Sequence, residues 1–326
     1  MTVTEPQAPT LSVEQFATAF ATLRDSVCRI VRGKAEAVEL ALTCLLAEGH
    51  LLVEDVPGTG KTTLARALAA SLGAGWSRIQ FTPDLMPSDV TGVTIFDQQT
   101  REFRFHSGPV FAHVVLADEI NRASPKTQAA LLEVMEEQNV TVDGTSHPVP
   151  RPFLVVATQN PVDMDGTYPL PEAQLDRFLM RIALGYPDHA AEVEVLQGRE
   201  NAKRVDQLPS VMSVDDVGIL IQRAAQTHVA PSLYSYVVAI AAATRTLPDV
   251  RLGASPRGSL ALLRAAQVRA ASQSREYLTP DDVKALAEPV LAHRILLNQD
   301  ALMRGGTASA IVAYAVAATP VPQTAE

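Results

Sequence analysis

Along residues 11–48, apolar side chains recur at helical spacing. Val13, Phe16, Phe20, Leu23 and Val27 fall on one helix face, and beyond Gly33 the positions Val38, Leu42 and Leu45 repeat the pattern, which predicts two helices. The pattern then changes. Short apolar runs near 50–53, 76–80, 114–117, 153–157 and 180–183 alternate with helical stretches, the order expected of a parallel sheet with helices on both faces. Leu51-Leu52-Val53 and Val114-Val115-Leu116-Ala117 carry no polar alternation, as strands buried on both faces require.

Two stretches interrupt this order. Val93-Thr94-Ile95-Phe96 with Phe103-Arg104-Phe105, and Val140-Thr141-Val142 followed by Asp143-Gly144, read as hairpins near 92–106 and 139–149; the second has a preferred turn dipeptide. Beyond about Pro187 the pattern is helical throughout. Ser213 with Asp216 and Thr279 with Asp282 mark helix starts, and 232–247 is an Ala-rich core helix. The expected organisation is a loose tail (1–10), an α/β domain (11–187), a helical domain (188–305) and a partly loose C-terminal segment (306–326).

Composition narrows the class. With 47% apolar and 19% charged residues in 326, the chain is neither disordered nor membranous, and no apolar run approaches the ~20 residues of a membrane helix. The polar start lacks a secretion signal, and Cys28 and Cys44 sit in helical apolar patterns as small core hydrophobes, so a cytoplasmic location is expected. A net charge of −9 argues against broad contact with a nucleic-acid backbone. The seven histidines show no metal-binding spacing, and Asp163 with Asp165 is not followed by a Ca²⁺ loop.

The chemistry concentrates after the first predicted strand. Pro57-Gly58-Thr59-Gly60-Lys61-Thr62-Thr63 joins a buried strand to a helix, the arrangement that cradles a triphosphate on backbone N–H groups and a helix N-terminus. The candidate nucleotide-holding residues are Asp55, Val56, Pro57, Gly58, Thr59, Gly60, Lys61, Thr62 and Thr63. Asp55 stands where the strict motif has Gly. Lys61 can reach the β- and γ-phosphates, and the Thr62 hydroxyl can hold Mg²⁺. A second apolar run ends in Asp118-Glu119: Asp118 is placed for the Mg²⁺ shell and Glu119 to polarise an attacking water. Asn160 ends a third run and can orient that water.

Two arginines complete the set. Arg257 follows Ser255-Pro256 at a helix start, where a cation is unfavourable unless an anion offsets it; a γ-phosphate held between the two domains is one candidate, a surface carboxylate the other. Arg177, before the last strand, can either reach a neighbour's nucleotide in a ring or pair within the chain, with Asp176 or Glu172.

With these residues in hand, the chain resembles the MoxR family of AAA+ ATPases. The resemblance spans most of 11–305. It rests on Glu54 to Thr62, Ala117-Asp118-Glu119-Ile120-Asn121-Arg122-Ala123, Ala157-Thr158-Gln159-Asn160-Pro161, Gly166 to Phe178 and Gly253-Ala254-Ser255-Pro256-Arg257; the long fourth block is the most specific, and Asp55 in place of Gly follows the family's own habit. The resemblance implies an AAA+ core with a parallel five-stranded sheet sandwiched by helices, then an all-helical lid. It implies ATP and Mg²⁺ as cofactors, Lys61 and Thr62 as the Walker A pair, Asp118 and Glu119 as Walker B, Asn160 as sensor 1, Arg177 as arginine finger and Arg257 as sensor 2. It further implies a ring, usually a hexamer, with nucleotide at subunit interfaces, and a chaperone acting on a client protein with a von Willebrand A-type partner. The alternative is a nucleic-acid motor or loader of a related clade.

Overall fold

The computed structural model describes residues 11–160, 167–186, 189, 192–193 and 205–322. The tail 1–10, the pair Asp163/Asp165, most of the domain boundary at 187–190 and the last residues 323–326 lie outside them. Two helices open the chain, α1 (Val13–Cys28) and α2 (Ala35–Leu46). A capping box between Ser12 and Gln15 starts α1, and its face Val13, Phe16, Phe20, Leu23 and Val27 is buried. Gly33, at φ +69°, makes the break between the two helices.

The central sheet contains β1 (Leu51–Glu54), β2 (Trp76–Gln80), β5 (Val114–Asp118), β8 (Leu154–Gln159) and β9 (Met180–Ile182). Their order is β2-β5-β8-β1-β9 and every pairing is parallel, as the alternation predicts. Helices α3 (Lys61–Ser71), α4 (Pro87–Thr91), α5 (Pro125–Glu137) and α6 (Glu172–Leu175) connect these strands. The unbroken apolar runs resolve into two faces by the two-residue period of a strand. Leu51, Val53, Val114, Leu116, Leu154 and Val156 pack into the core shared with α1–α3 and the C-terminal helices. Leu52, Val115, Ala117, Val155 and Ala157 face α5 and Phe178.

Both hairpins are antiparallel ribbons: β3 (Gly92–Asp97) with β4 (Glu102–Ser107), and β6 (Asn139–Val142) with β7 (Thr145–Pro148). Phe105 of the first stacks on His147 of the second at 4.1 Å, so the two are joined. The first leaves Val93, Ile95, Phe96 and Phe103 exposed.

The lid comprises α7 (Val214–Ala225), α8 (Pro231–Thr246), α9 (Pro256–Ser272), α10 (Pro280–Leu291), α11 (Gln299–Met303) and α12 (Ala308–Ala318), with one short ribbon of β10 (Val250–Leu252) and β11 (Leu296–Leu297). Capping boxes at Ser213/Asp216 and Thr279/Asp282 start α7 and α10. Within the C-terminal segment 306–326, residues 308–318 form α12. This helix is capped by Thr307 and packs on α8 and α10, because Val312 and Ala315 supply a buried apolar face.

Besides the shared apolar core, a buried polar cluster ties core and lid. Arg294 lies buried just past α10. It donates from Nε to Asp176 Oδ1 (2.9 Å) and from Nη2 to the carbonyls of Asp176 (3.2 Å) and Phe178 (2.8 Å). Ser255, the N-cap of α9, donates to the same carboxylate at 2.9–3.0 Å while accepting from Gly258 N–H. Burial lowers the Arg294 pKa to about 10, which leaves it charged at neutral pH, and the Asp176 carboxylate opposes that shift.

His50, before β1, is buried and donates from Nε2 to the Met135 carbonyl (3.0 Å) while Nδ1 accepts from Val155 N–H (3.1 Å), tying the end of α5 to β8. Burial lowers its pKa from 6.5 to about 4. Between these values the unfolded chain takes up a proton that the folded chain refuses, so stability is lost as pH falls through that window. Chemical denaturation from pH 7 down to pH 4 should show a loss of up to about 3 kcal/mol from this group, and His50→Gln should flatten the dependence.

Candidate functional site

Three adjacent strands, β5, β8 and β1, bring their C-terminal ends together, and a cavity of about 390 Å³ opens there. Pro57, Gly58, Gly60, Lys61, Thr62 and Thr63 form one wall, Asp118 and Glu119 another, and Thr158, Gln159 and Asn160 lie between them. The loop and acids predicted from separate stretches of sequence therefore share one site, and Asn160 lines it at 8% exposure.

The loop's shape depends on its glycines. Gly58 (φ +83°) and Gly60 (φ +96°) sit in the left-handed region, and a Cβ on either would meet nothing within 4 Å. The requirement is therefore conformational, and the space beside the loop is open. Gly60 is the N-cap of α3 and offers no side chain to the helix's first N–H groups, so those donors and the positive end of the dipole suit an anion. Lys61 Nζ donates to the carbonyls of Asp55 (2.6 Å) and Val56 (3.1 Å). Thr59, nearly buried, donates to the Val56 carbonyl at 3.3 Å and stays off the cavity wall.

Asp55 corrects the sequence expectation. Its carboxylate turns away from the cavity and accepts from Leu184 N–H (2.8 Å), Gly185 N–H (2.6 Å) and Val56 N–H (2.8 Å). An acid at this position braces the loop against the end of β9. A cavity of about 700 Å³ opens on that side, lined by Gly33, Lys34, Glu54, Arg181, Ala183, Leu184, Lys284 and Glu288 among others. Apolar patterning gives no hint of it, because its wall is drawn from α2, β9 and α10.

Thr158 is the residue sequence reasoning missed. Almost fully buried, its hydroxyl donates to Asp118 Oδ1 (2.6 Å) and accepts from Glu119 N–H (2.8 Å), so it sets the direction of both acids. Arg78 on β2 clamps the other oxygen of Asp118 at 2.6 Å, and Gln80 donates to Glu119 Oε2 at 2.9 Å. Arg122 also pairs with Glu119. Glu119 itself holds φ +57°, an uncommon conformation for a residue with a side chain, and lies at the cavity. The signal for Thr158 was a lone hydroxyl inside an apolar run; for Arg78 and Gln80 it was polar residues on the edge strand at the same sheet end.

The two arginines lie elsewhere. Arg177 pairs with Glu136 Oε2 at 3.0 Å and Arg257 with Glu136 Oε1. Both line a cavity of about 230 Å³ with Glu48, Gly49 and His50, at the N-terminal ends of the strands. This cavity shares no wall residue with the one at the loop, and β1 alone separates the edges by about 13 Å, four residues at ~3.3 Å each. A γ-phosphate held by the same chain's loop is thus out of Arg257's reach; the carboxylate alternative describes its partner. Arg177 does pair within the chain, but with neither Asp176 nor Glu172, which are bound to Arg294 and Arg251.

Among the described residues no cluster of three or more His, Cys, Asp or Glu could hold a metal ion. Mg²⁺ binds through one or two protein groups plus substrate phosphates, and Thr62 and Asp118, at one cavity, fit that donor set. No helix among them is long and apolar enough to cross a membrane.

Comparison with known proteins agrees with this architecture. Residues 50–180 match the ATPase family associated with various cellular activities (AAA), and 242–314 match the AAA lid domain. The uncharacterized protein YeaC of Bacillus subtilis is 49% identical over 91% of this chain and 93% of its own. Chaperone MoxR1 of Mycobacterium tuberculosis is 45% identical over 85% and 75%. A crystal structure from Cytophaga hutchinsonii, described as a candidate ATPase, superposes with a TM-score of 0.89 at 36% identity, covering 95% of this chain and 97% of that one.

Thr158→Val keeps the shape but strands the Glu119 N–H. It should cost about 1–3 kcal/mol in chemical denaturation and lower ATP turnover; unchanged turnover would show that the acids do not depend on this hydroxyl.

Proposed function

The chain belongs to the MoxR family of AAA+ ATPases, and from that premise we propose that it is a Mg²⁺-dependent enzyme converting ATP and water to ADP and phosphate. The observation that carries this is the convergence of the Gly-rich loop, the two acids and Asn160 on the ends of three neighbouring strands. Backbone N–H groups of Gly58 to Thr63 and the Lys61 ammonium hold the triphosphate. Its nucleoside end extends past the loop into the large cavity at Lys34 and Leu184. Glu119 accepts the proton of a water oriented by Asn160; the water's oxygen attacks the γ-phosphorus and the bond to the β-phosphate oxygen breaks. Thr62 and Asp118 would hold Mg²⁺, which would supply charge neutralisation to the phosphates.

Arg177 and Arg257 act on another subunit. Both sit at the sheet edge opposite their own loop, so a phosphate they stabilise belongs to an adjacent chain. That supports a ring, a hexamer by resemblance to the family, with each nucleotide at a subunit interface. The relative named as a chaperone supports work on a client protein; a cytoplasmic location follows from the sequence reading, and a von Willebrand A-type partner from the family resemblance. The exposed apolar side chains of the first hairpin are a suitable surface for moving such a client.

Glu119→Gln should lower ATP turnover by about 10²–10⁴-fold with ATP binding retained, and should trap client in an ATP-dependent pull-down. Turnover near that of the unaltered chain would remove Glu119 as the base. For the arginines, mixing inactive Arg177→Ala chains with inactive Lys61→Ala chains should restore turnover, because each supplies the part the other lacks. Failure to restore it would mean that Arg177 serves its own chain.

A further inference from the structure

We infer that Glu136 is a positioning residue that holds Arg177 and Arg257 as one unit facing the adjacent subunit's triphosphate. The inference rests on the reading that these arginines act between subunits.

The backbones of the three residues are fixed by other contacts. Met135, one residue before Glu136, accepts a hydrogen bond from buried His50. Asp176, one residue before Arg177, is gripped by Arg294 and Ser255. Ser255 also caps the helix whose second residue is Arg257. What remains free is the reach of two long guanidinium side chains, each rich in rotamers. Glu136 removes that freedom from both at once by giving one oxygen to each.

Stability does not explain this arrangement. The side chains of Arg177, Glu136 and Arg257 are 30%, 35% and 44% exposed, and ion pairs open to solvent add little to stability. Charge does explain it. Two guanidinium groups converging without a carboxylate would repel and splay; with one between them they keep a net positive charge, which suits an anionic phosphoryl group. In the same cavity Arg264 and Glu48 offset each other and Arg294 is paired with Asp176, so the net positive charge of its wall is that of the Arg177–Glu136–Arg257 group.

Glu136→Ala and Glu136→Gln should each lower turnover of the assembled protein, the alanine variant by about tenfold or more, with KM for ATP within about twofold and thermal unfolding unchanged. Mixing with Lys61→Ala chains should restore turnover, since the unaltered arginines of those chains then serve the variant's loops. A defect that mixing does not relieve, or turnover equal to or above that of the unaltered chain, overturns the inference. If Arg177→Ala is rescued by mixing while Glu136→Ala has no defect, the inter-subunit reading stands and the role of Glu136 falls. If Arg177→Ala is not rescued, that reading itself falls.

Discussion

Parallel pairing of β8 between β5 and β1 is the constraint on which the rest of the site depends. In a parallel sheet all strands end at the same edge, so residues far apart in sequence are delivered to one line. Register does the fine placement. Val53 lies opposite Thr158 and Ala117 opposite Ala157, so the loop leaves β1 beside the hydroxyl that aims Asp118 and Glu119. The interior apolar residues of these strands have no chemical role, yet a slip of one residue would turn Thr158 to the other face and leave both acids without their partner.

A second constraint is buried at the opposite edge. Arg294 and Asp176 form an ion pair whose desolvation is offset by the Phe178 carbonyl, the Asp176 carbonyl and the Ser255 hydroxyl. Breaking such a pair from one side costs several kcal/mol, far more than the exposed pairs around it. Together with the shared apolar core it sets where the lid meets the sheet, and through Ser255 it holds the start of α9 beside Arg177. The motif containing Asp176 and Arg177 thus has a half that docks the lid through Arg294 and a half that pairs with Glu136.

These two constraints divide the chemistry. The loop, acids and Asn160 lie at one edge of the sheet, and the two arginines at the other. In this arrangement one chain's arginines do not reach a phosphate held by its own loop; on the proposed reading an adjacent copy completes the site, and hydrolysis then depends on the angle between neighbours.

Much of this was legible in the residue order. Leu51-Leu52-Val53 before two glycines and a lysine, an apolar run closing on Asp118-Glu119, and Asn160 after a third run are local signals. Hydrophobic period, glycine conformation and carboxylate position act over a few residues, so sequence alone determined the strands, the loop and the family resemblance. Arg257 at a capped helix start was also legible, but the identity of its anion was not. Glu136 is more than a hundred residues away in the chain, and only docking of the lid on the core brings the two together. The same holds for Asp55, whose carboxylate found Leu184 and Gly185 across the sheet, and for Thr158, an unremarked hydroxyl until strand pairing set it between two acids. Hydrogen bonds and ion pairs between distant residues depend on ångström-scale placement of whole elements, which no local pattern encodes, so tertiary structure alone decided which edge each charge would serve.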